Sequence, residues 1–130
     1  MVTAILVAPA VAGALLAGGK VHTHTSVKGD QPPRLHPLVE RFVDELPVEQ
    51  RERYVGRCAE LVLISDRLYE AESGRAKELT AGEARAALWG ARITATRVRE
   101  QGDPAHGTYQ PPCRSCAALL EWFGVEVVAT

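Results

Sequence analysis

The sequence lacks an excess of charge of either sign, has few aromatic residues and only three cysteines, and contains no asparagine. A net charge of −1 gives no general attraction to nucleic acid or to an anionic membrane, although a local basic groove could still bind a polynucleotide. An odd number of cysteines makes a poor disulfide framework, so we expect reduced thiols or metal ligands. The 46% of apolar residues among 130 is typical of one globular domain, which we assign to residues 1–130.

An uncharged apolar stretch, residues 4–17, lies near the start of the chain. It is too short to span a bilayer comfortably, and no basic residue precedes its apolar core as in a secretory signal. We therefore expect no signal peptide, no stable membrane association and a cytoplasmic location. Within this stretch we expect residues 1–12 to form a short helix or loop, followed by a buried strand near residues 13–17.

The hydrophobic pattern predicts the elements that follow. Gly18-Gly19 indicates a tight turn, and the alternation of residues 20–27 indicates a strand. The full set of predicted elements is strands at 20–27, 91–99 and 125–129, and helices at 35–46, 48–55, 58–69, 80–88 and 113–123. Their order predicts one sheet with helices packed on it, an α/β fold.

Two histidines, His22 and His24, would share one side of the strand at 20–27. Such a pair can bind a metal, and it can equally be polar surface or lining that is satisfied by hydrogen bonds. The sequence leaves both interpretations open.

The sequence Pro112-Cys113-Arg114-Ser115-Cys116 opens an apolar, helix-like run. A C-x-x-C at this place puts two thiols about one turn apart near the helix N-terminus. The helix dipole and the unpaired N–H groups there favour thiolate over thiol, and Pro112 suits the first turn. Alone, this motif is compatible with zinc binding, with redox chemistry and with a disulfide.

The third cysteine, Cys58, begins another helix-like run and is followed two residues later by Glu60. Three protein ligands with no obvious fourth are typical of a catalytic zinc site, in which the open position holds water. Glu60 would lie beside that water and could move its proton.

Two other interpretations compete with this one. A structural zinc site of the Cys3His type would take His106 or His24 as its fourth ligand, and it would leave Glu60 without a role. A thiol redox protein would use Cys113 and Cys116 alone, as thioredoxin-like proteins do, and it would leave Cys58 unexplained.

Together, Cys58-Ala59-Glu60 and Pro112-Cys113-Arg114-Ser115-Cys116 resemble the paired motifs of the zinc-dependent cytidine deaminase superfamily. The neighbouring Gly56-Arg57 and the upstream Ser26-Val27-Lys28-Gly29-Asp30 are similar to its YwqJ-like bacterial deaminases, a toxin-associated branch. The resemblance extends from about residue 13 onwards.

This resemblance implies a three-layer α/β/α sandwich, with a mixed sheet of about four strands and helices on its faces. It implies a Zn²⁺ ion held by Cys58, Cys113 and Cys116, with Glu60 as the proton shuttle. Zinc hydroxide would attack the amino-bearing carbon of a cytosine-type base in a nucleoside or in single-stranded DNA or RNA. If the protein is a toxin, it would act inside a target cell and have an immunity protein as partner.

Further residues are assigned around this implied site. Tyr109 is the candidate for stacking on the base, with ordinary loop packing as the alternative, and His24 and Ser26 are expected beside the substrate. Arg57 and Arg114 flank the ligands and would offset the charge of three thiolates, the alternative being plain surface arginines. The absence of asparagine removes one residue type that holds a free nucleoside's sugar, which favours another substrate over free cytidine.

Overall fold

The computed structural model describes residues 10–25, 34–50 and 58–129. Four strands, four α-helices and one short 3-10 turn, η1, lie within these segments. In chain order they are β1 (Ala10–Ala17), β2 (Lys20–Thr25), α1 (Pro37–Asp44), η1 (Val48–Gln50), α2 (Ala59–Glu72), α3 (Ala81–Leu88), β3 (Arg92–Val98), α4 (Arg114–Phe123) and β4 (Glu126–Val127). No helix in the described part of the chain is long and apolar enough to cross a bilayer.

β1 and β2 form an antiparallel hairpin around the predicted Gly18-Gly19 turn. Both glycines have positive φ, 59° and 76°, which is the conformation that matches the twist of the flanking strands. β1 begins at Ala10, so residues 10–12 are extended where we expected a helix or loop. The cause is pairing on both sides of β1, since ladders to β2 and β3 hold it extended despite its alanines. Residues 1–9, 26–33, 51–57 and 130 lie outside the described residues, and so do the end of the predicted strand at 20–27 and most of the predicted helix at 48–55.

The sheet has the order β2-β1-β3-β4 and is mixed. β1 is antiparallel to both of its neighbours, whereas β3 and β4 are parallel. At its centre, Gly13 of β1 pairs with His24 on one side and with Ala95 on the other. This mixed four-stranded sheet, with helices packed on it, confirms the predicted α/β fold class.

The helices lie against one face of the sheet. α2 packs directly on β1, β2 and β3, and the other three helices contact α2. The covered face carries Leu15, Ile93 and Ala95, all at most 2% exposed. On the opposite face, the paired residues Leu16 and Val21 are 45% and 68% exposed. Among the described residues, one helical layer therefore covers one face of the sheet.

α2 is the helix at the centre of the core, and every residue from 59 to 65 is buried. It approaches β1 closely at Gly13, where an added Cβ would lie 2.9 Å from Leu63 Cδ1 and 3.3 Å from Ala59 Cβ. The missing side chain at Gly13 therefore determines how close the first turns of α2 lie to the sheet.

α1 starts two residues later than the predicted Leu35, because His36 caps it and Pro37 occupies its first position. The Nδ1 atom of His36 accepts a hydrogen bond from the amide of Leu38, at 3.1 Å. Nδ1 therefore carries no proton, and Nε2–H donates to Glu72 Oε2 at 2.8 Å. The backbone N–H of His36 donates to Ser65 Oγ at 2.6 Å, so α1 is anchored to α2 by hydrogen bonds.

The caps of α3 and α4 follow the sequence signals. Thr80 and Glu83 form a capping box, with Glu83 N donating to Thr80 Oγ1 at 3.2 Å and Thr80 N donating to Glu83 Oε1 at 2.9 Å. Gly124 ends α4 in the left-handed conformation, with φ 70°. α3 spans Ala81–Leu88, within the predicted range 80–88, and β4 is confined to two residues of the predicted range 125–129.

Gly13→Val should lower the free energy of unfolding by about 1–3 kcal/mol, because the added atoms enter the space occupied by Ala59 and Leu63. Urea-induced unfolding measures the difference. Ala14→Val is the matched control, since its neighbours Thr23 and Thr94 lie on the other face of the sheet. Equal stability of the two variants would contradict the close packing of α2 on β1.

Glu72→Gln should destabilise the protein at neutral pH, because this carboxylate accepts hydrogen bonds from Leu79 N, at 3.0 Å, and from His36 Nε2. These two bonds hold the pKa of Glu72 below its ordinary value of 4.5. A lowered pKa stabilises the fold above the unfolded value and loses that contribution as pH falls through the folded value. The stability difference between wild type and variant should therefore shrink below pH 4.5.

Urea unfolding across this pH range measures that difference. Glu78→Gln is the control, because Glu78 is exposed in the segment that connects α2 to α3. A difference between wild type and Glu72→Gln that is independent of pH would show that the carboxylate charge is irrelevant.

Candidate metal centre

The first element of the site is the N-terminus of α2. Cys58 is the N-cap residue, with an extended backbone at φ −68° and ψ 144°, and its carbonyl accepts a hydrogen bond from Val62 N at 3.2 Å. Its side chain makes no capping hydrogen bond, unlike the usual Ser, Thr, Asp or Asn at this position. The thiol is therefore directed to partners outside its own helix, and Glu60 follows in the first turn.

The second element is the N-terminus of α4. Cys113 is its N-cap, and Cys113 Sγ accepts a hydrogen bond from Cys116 N at 3.4 Å. Cys116 lies one turn further along the helix and is fully buried. Pro112 stands before the cap, whereas we expected it in the first turn of the helix. The C-x-x-C motif thus places both thiols at the start of a helix, where the dipole favours negative charge.

An unpredicted backbone pairing brings α4 to α2. Residues 107–110 run antiparallel to the second half of β3, with Thr96 opposite Tyr109. Arg97 N donates to Thr108 O at 2.8 Å, and Gln110 N donates to Ala95 O at 2.9 Å. β4 uses the first half of the same strand, at residues 92 and 93. The segment before Pro112 is therefore held to the sheet next to the start of α2.

These elements bring the three cysteines together. Their sulfur atoms all lie within 4.8 Å of one another, and Cys58 Sγ is 3.8 Å from Cys113 Sγ. Zn–S bonds of about 2.3 Å in a tetrahedral site separate two sulfurs by about 3.8 Å, so the arrangement fits a zinc ion. All four histidines of the chain are in described segments, and none of them joins this cluster. The fourth ligand of a Cys3His site is thus not supplied by His24 or His106.

The protons of the cluster are unequally shared. Hydrogen bonds from Cys116 and Cys58 lower the pKa of Cys113, and the backbone N–H groups of Cys116 and Ser115 act in the same direction. The pKa values of Cys58 and Cys116 are raised, first by their hydrogen bonds with Cys113 and also by burial. Cys113 is therefore the most acidic of the three thiols, and a divalent cation bound by all three sulfurs would displace the thiol protons that remain.

Glu60 lies beside the cluster and is only 5% exposed. Burial raises the pKa of its carboxyl group, the negative charge of Cys113 raises it further, and the hydrogen bond from its own backbone N–H lowers it. Glu60 lines a narrow crevice whose interior is too tight to hold a water molecule. Its wall includes Tyr109, Gln110, Pro112 and Leu120.

The remaining predicted residues are less closely tied to the cluster. Arg114 is exposed, and its Nη1 donates to Glu49 O at 2.8 Å, which joins the start of α4 to η1. His24 is half-buried on β2, and its Nε2 has no hydrogen-bond partner among the described residues. Arg57 and Ser26 lie outside the described residues. The roles assigned to these four residues remain predictions.

Gln110 is a site residue that the sequence did not reveal. It shares the crevice wall with Glu60, yet it belongs to a stretch that we expected to be an unpaired loop. A four-residue segment with glycine at one end shows no alternation from which pairing could be predicted. The one available signal was an amide side chain two residues before the Pro-Cys of the motif.

Comparison with known families agrees with this geometry. The family model that matches is the YwqJ-like deaminase, and the match covers residues 3–125. No match is found among curated proteins or among solved structures. The matched range includes both helix N-termini, the three cysteines and Glu60, and the chain belongs to the family of YwqJ-like deaminases.

Proposed function

We propose that this protein is a zinc-dependent hydrolytic deaminase that acts on a cytosine-type base. The observation that carries the proposal is the convergence of three sulfurs within 4.8 Å of one another, beside the buried carboxyl group of Glu60. Three protein ligands are the number found in catalytic zinc sites, whereas structural sites bind zinc with four. Membership of a deaminase family supports the same reaction class.

In this proposal Cys58, Cys113 and Cys116 hold the ion. When bound, zinc supplies Lewis acidity that makes water a nucleophile near neutral pH. The N-termini of α2 and α4 both point at the cluster, and their dipoles offset part of the negative charge of three thiolates. Arg114, in the first turn of α4, adds a positive charge nearby.

Glu60 moves the proton in this reaction. Its carboxylate takes a proton from the attacking water, delivers it to the ring nitrogen next to the amino-bearing carbon, and then assists the departure of ammonia. Burial suits the task, because a raised pKa makes the carboxylate a stronger base towards the proton of the water and lets the carboxyl group keep that proton until it is delivered. Water is consumed, and the C–N bond to the amino group is broken.

The substrate base is proposed to belong to a nucleoside or to single-stranded DNA or RNA. Tyr109 and His24 are proposed to lie beside the substrate. Tyr109 forms part of the crevice wall, although its position opposite Thr96 turns its side chain to the uncovered face of the sheet. If the protein acts as a toxin, the target cell is its place of action and an immunity protein is its partner.

The thiol redox alternative has less support. It leaves Cys58 without a function, whereas Cys58 Sγ lies as close as 3.8 Å to Cys113 Sγ. The Cys3His alternative requires a histidine that the described cluster does not contain.

Cys58→Ser should weaken zinc binding by more than about 100-fold. Loss of a residue that only hydrogen-bonds to a metal ligand typically lowers metal affinity about 10–100-fold, and this change removes a ligand itself. Competition with a chromophoric chelator gives the affinity, and elemental analysis gives the zinc content per chain. Cys113→Ser and Cys116→Ser should behave alike. Undiminished zinc binding by Cys58→Ser would instead favour a site built from Cys113 and Cys116.

Glu60→Gln should retain one zinc per chain and lose about 10²–10⁴-fold in the rate of ammonia release, because it removes the group that moves the proton. The assay uses cytidine, deoxycytidine and a single-stranded oligonucleotide of mixed sequence, and follows ammonia and base identity. Glu78→Gln, an exposed change far along the chain, is the activity control. Full activity in Glu60→Gln would contradict the proposed mechanism.

A further inference from the structure

The segment from residue 107 to residue 110 has a defined register against β3. Thr96 and Tyr109 are directly opposite each other, and the two flanking hydrogen bonds are Arg97 N to Thr108 O and Gln110 N to Ala95 O. Opposite residues of an antiparallel pair project to the same face, and successive residues project to opposite faces. Tyr109 therefore projects to the face of Thr96, and Gln110 projects to the face of Ala95.

The face of Ala95 is the one covered by helices. Ala95 is 2% exposed and pairs with Gly13, whose missing Cβ would touch Ala59 in the first turn of α2. Glu60 follows Ala59 directly in that turn. The side chain of Gln110 thus starts towards the catalytic carboxyl group, and both residues line the same crevice.

The amide group of Gln110 is incompletely used by the protein. Its Nε2 donates to Pro111 O at 3.1 Å, which takes one of its two N–H bonds. Its Oε1 has no hydrogen-bond partner within the described residues. The backbone of Gln110 is fixed to β3, so this half-buried amide is held in a defined place instead of on a mobile loop.

We propose that Gln110 recognises the substrate base by donating its second amide N–H to the ring carbonyl oxygen of the pyrimidine. The inference rests on the proposed function. In a cytosine-type base, the nitrogen that receives the proton from Glu60 lies between the amino-bearing carbon and the carbon of this carbonyl. A donor beside Glu60 therefore meets the carbonyl oxygen, whereas adenine presents a C–H at the corresponding position.

Such a contact has a specific energetic signature. The carbonyl oxygen is present in the substrate and in the uracil product and is not altered by the reaction. Its hydrogen bond stabilises ground state and transition state alike, so its loss raises KM and leaves kcat nearly unchanged. A site that donates this bond also disfavours a base without the acceptor, because the donor is then left unpaired.

The test measures substrate binding in a variant that does not catalyse the deamination. In zinc-loaded Glu60→Gln protein, the added change Gln110→Leu should raise the Kd of a DNA oligonucleotide with one cytosine by about 10-fold. It should raise the Kd of the same oligonucleotide with uracil by the same factor. Gln110→Glu, which has nearly the same shape, should weaken both by more, since a carboxylate repels the carbonyl oxygen.

In the otherwise wild-type enzyme, Gln110→Leu should raise KM for the cytosine oligonucleotide by a similar factor at constant kcat. It should also narrow the preference for cytosine over adenine, because the donor that adenine leaves unpaired has been removed. Gln101→Leu, in an exposed loop, is the matched control and should leave both Kd values unaltered. Zinc content and urea unfolding of each variant confirm that the site and the fold are intact.

The outcomes distinguish failure of the inference about Gln110 from failure of the proposed function. Suppose that wild type binds and deaminates cytosine, and that both Gln110 variants have Kd values within twofold of the protein with Gln110 intact. The inference about Gln110 is then wrong, and the proposed function stands. A loss confined to the cytosine oligonucleotide also overturns it, because the contact would then be to the amino group. A wild-type protein that holds zinc and neither binds nor deaminates any of the cytosine probes overturns both.

Discussion

The edge of β3 that faces away from β1 is shared by two segments, and this shared edge organises the site. β4 pairs with residues 92 and 93, and residues 107–110 pair with residues 95–97. The second pairing ends immediately before Pro111-Pro112, so the position of α4 is fixed by backbone hydrogen bonds to the sheet. On the other side, Gly13 lets α2 lie close to β1. Two helices from distant parts of the chain therefore begin at the same place.

Both ends of α2 are fixed, for different physical reasons. At its start, apolar contact with Gly13 and the burial of residues 59–65 hold the helix on the sheet. At its end, Glu72 accepts hydrogen bonds from His36 and Leu79 and so connects α1 with the segment before α3. The catalytic candidate Glu60 belongs to the tightly packed end, where a carboxyl group cannot be hydrated by bulk water. That position explains why burial is the largest influence on its pKa.

The cluster of thiols concentrates negative charge in a partly buried place, and the fold counters it with helix N-termini. Cys58 and Cys113 are both N-cap residues, and each therefore lies where unpaired backbone N–H groups point. Glu60, whose pKa is raised in part by the charge of Cys113, and Pro112, which precedes Cys113, both line the crevice that Gln110 shares. The proposed metal ligands, proton carrier and base contact thus belong to three short stretches, each held by the sheet or by a helix start.

Much of this protein followed from sequence signals that act over a few residues. The Gly18-Gly19 turn, the Thr80 capping box and the helix beginning at the C-x-x-C motif are local, because each depends on the conformational preference of adjacent residues. The two cysteine motifs also sufficed to indicate the deaminase family, because their chemistry requires fixed spacing. The strand at residues 10–12 and the pairing of residues 107–110 were decided by the tertiary structure alone. Both depend on hydrogen bonds to β3, which lies far along the chain from residues 10–12 and one loop away from residues 107–110. Alanine-rich or glycine-containing stretches show no periodicity from which such pairing could be predicted.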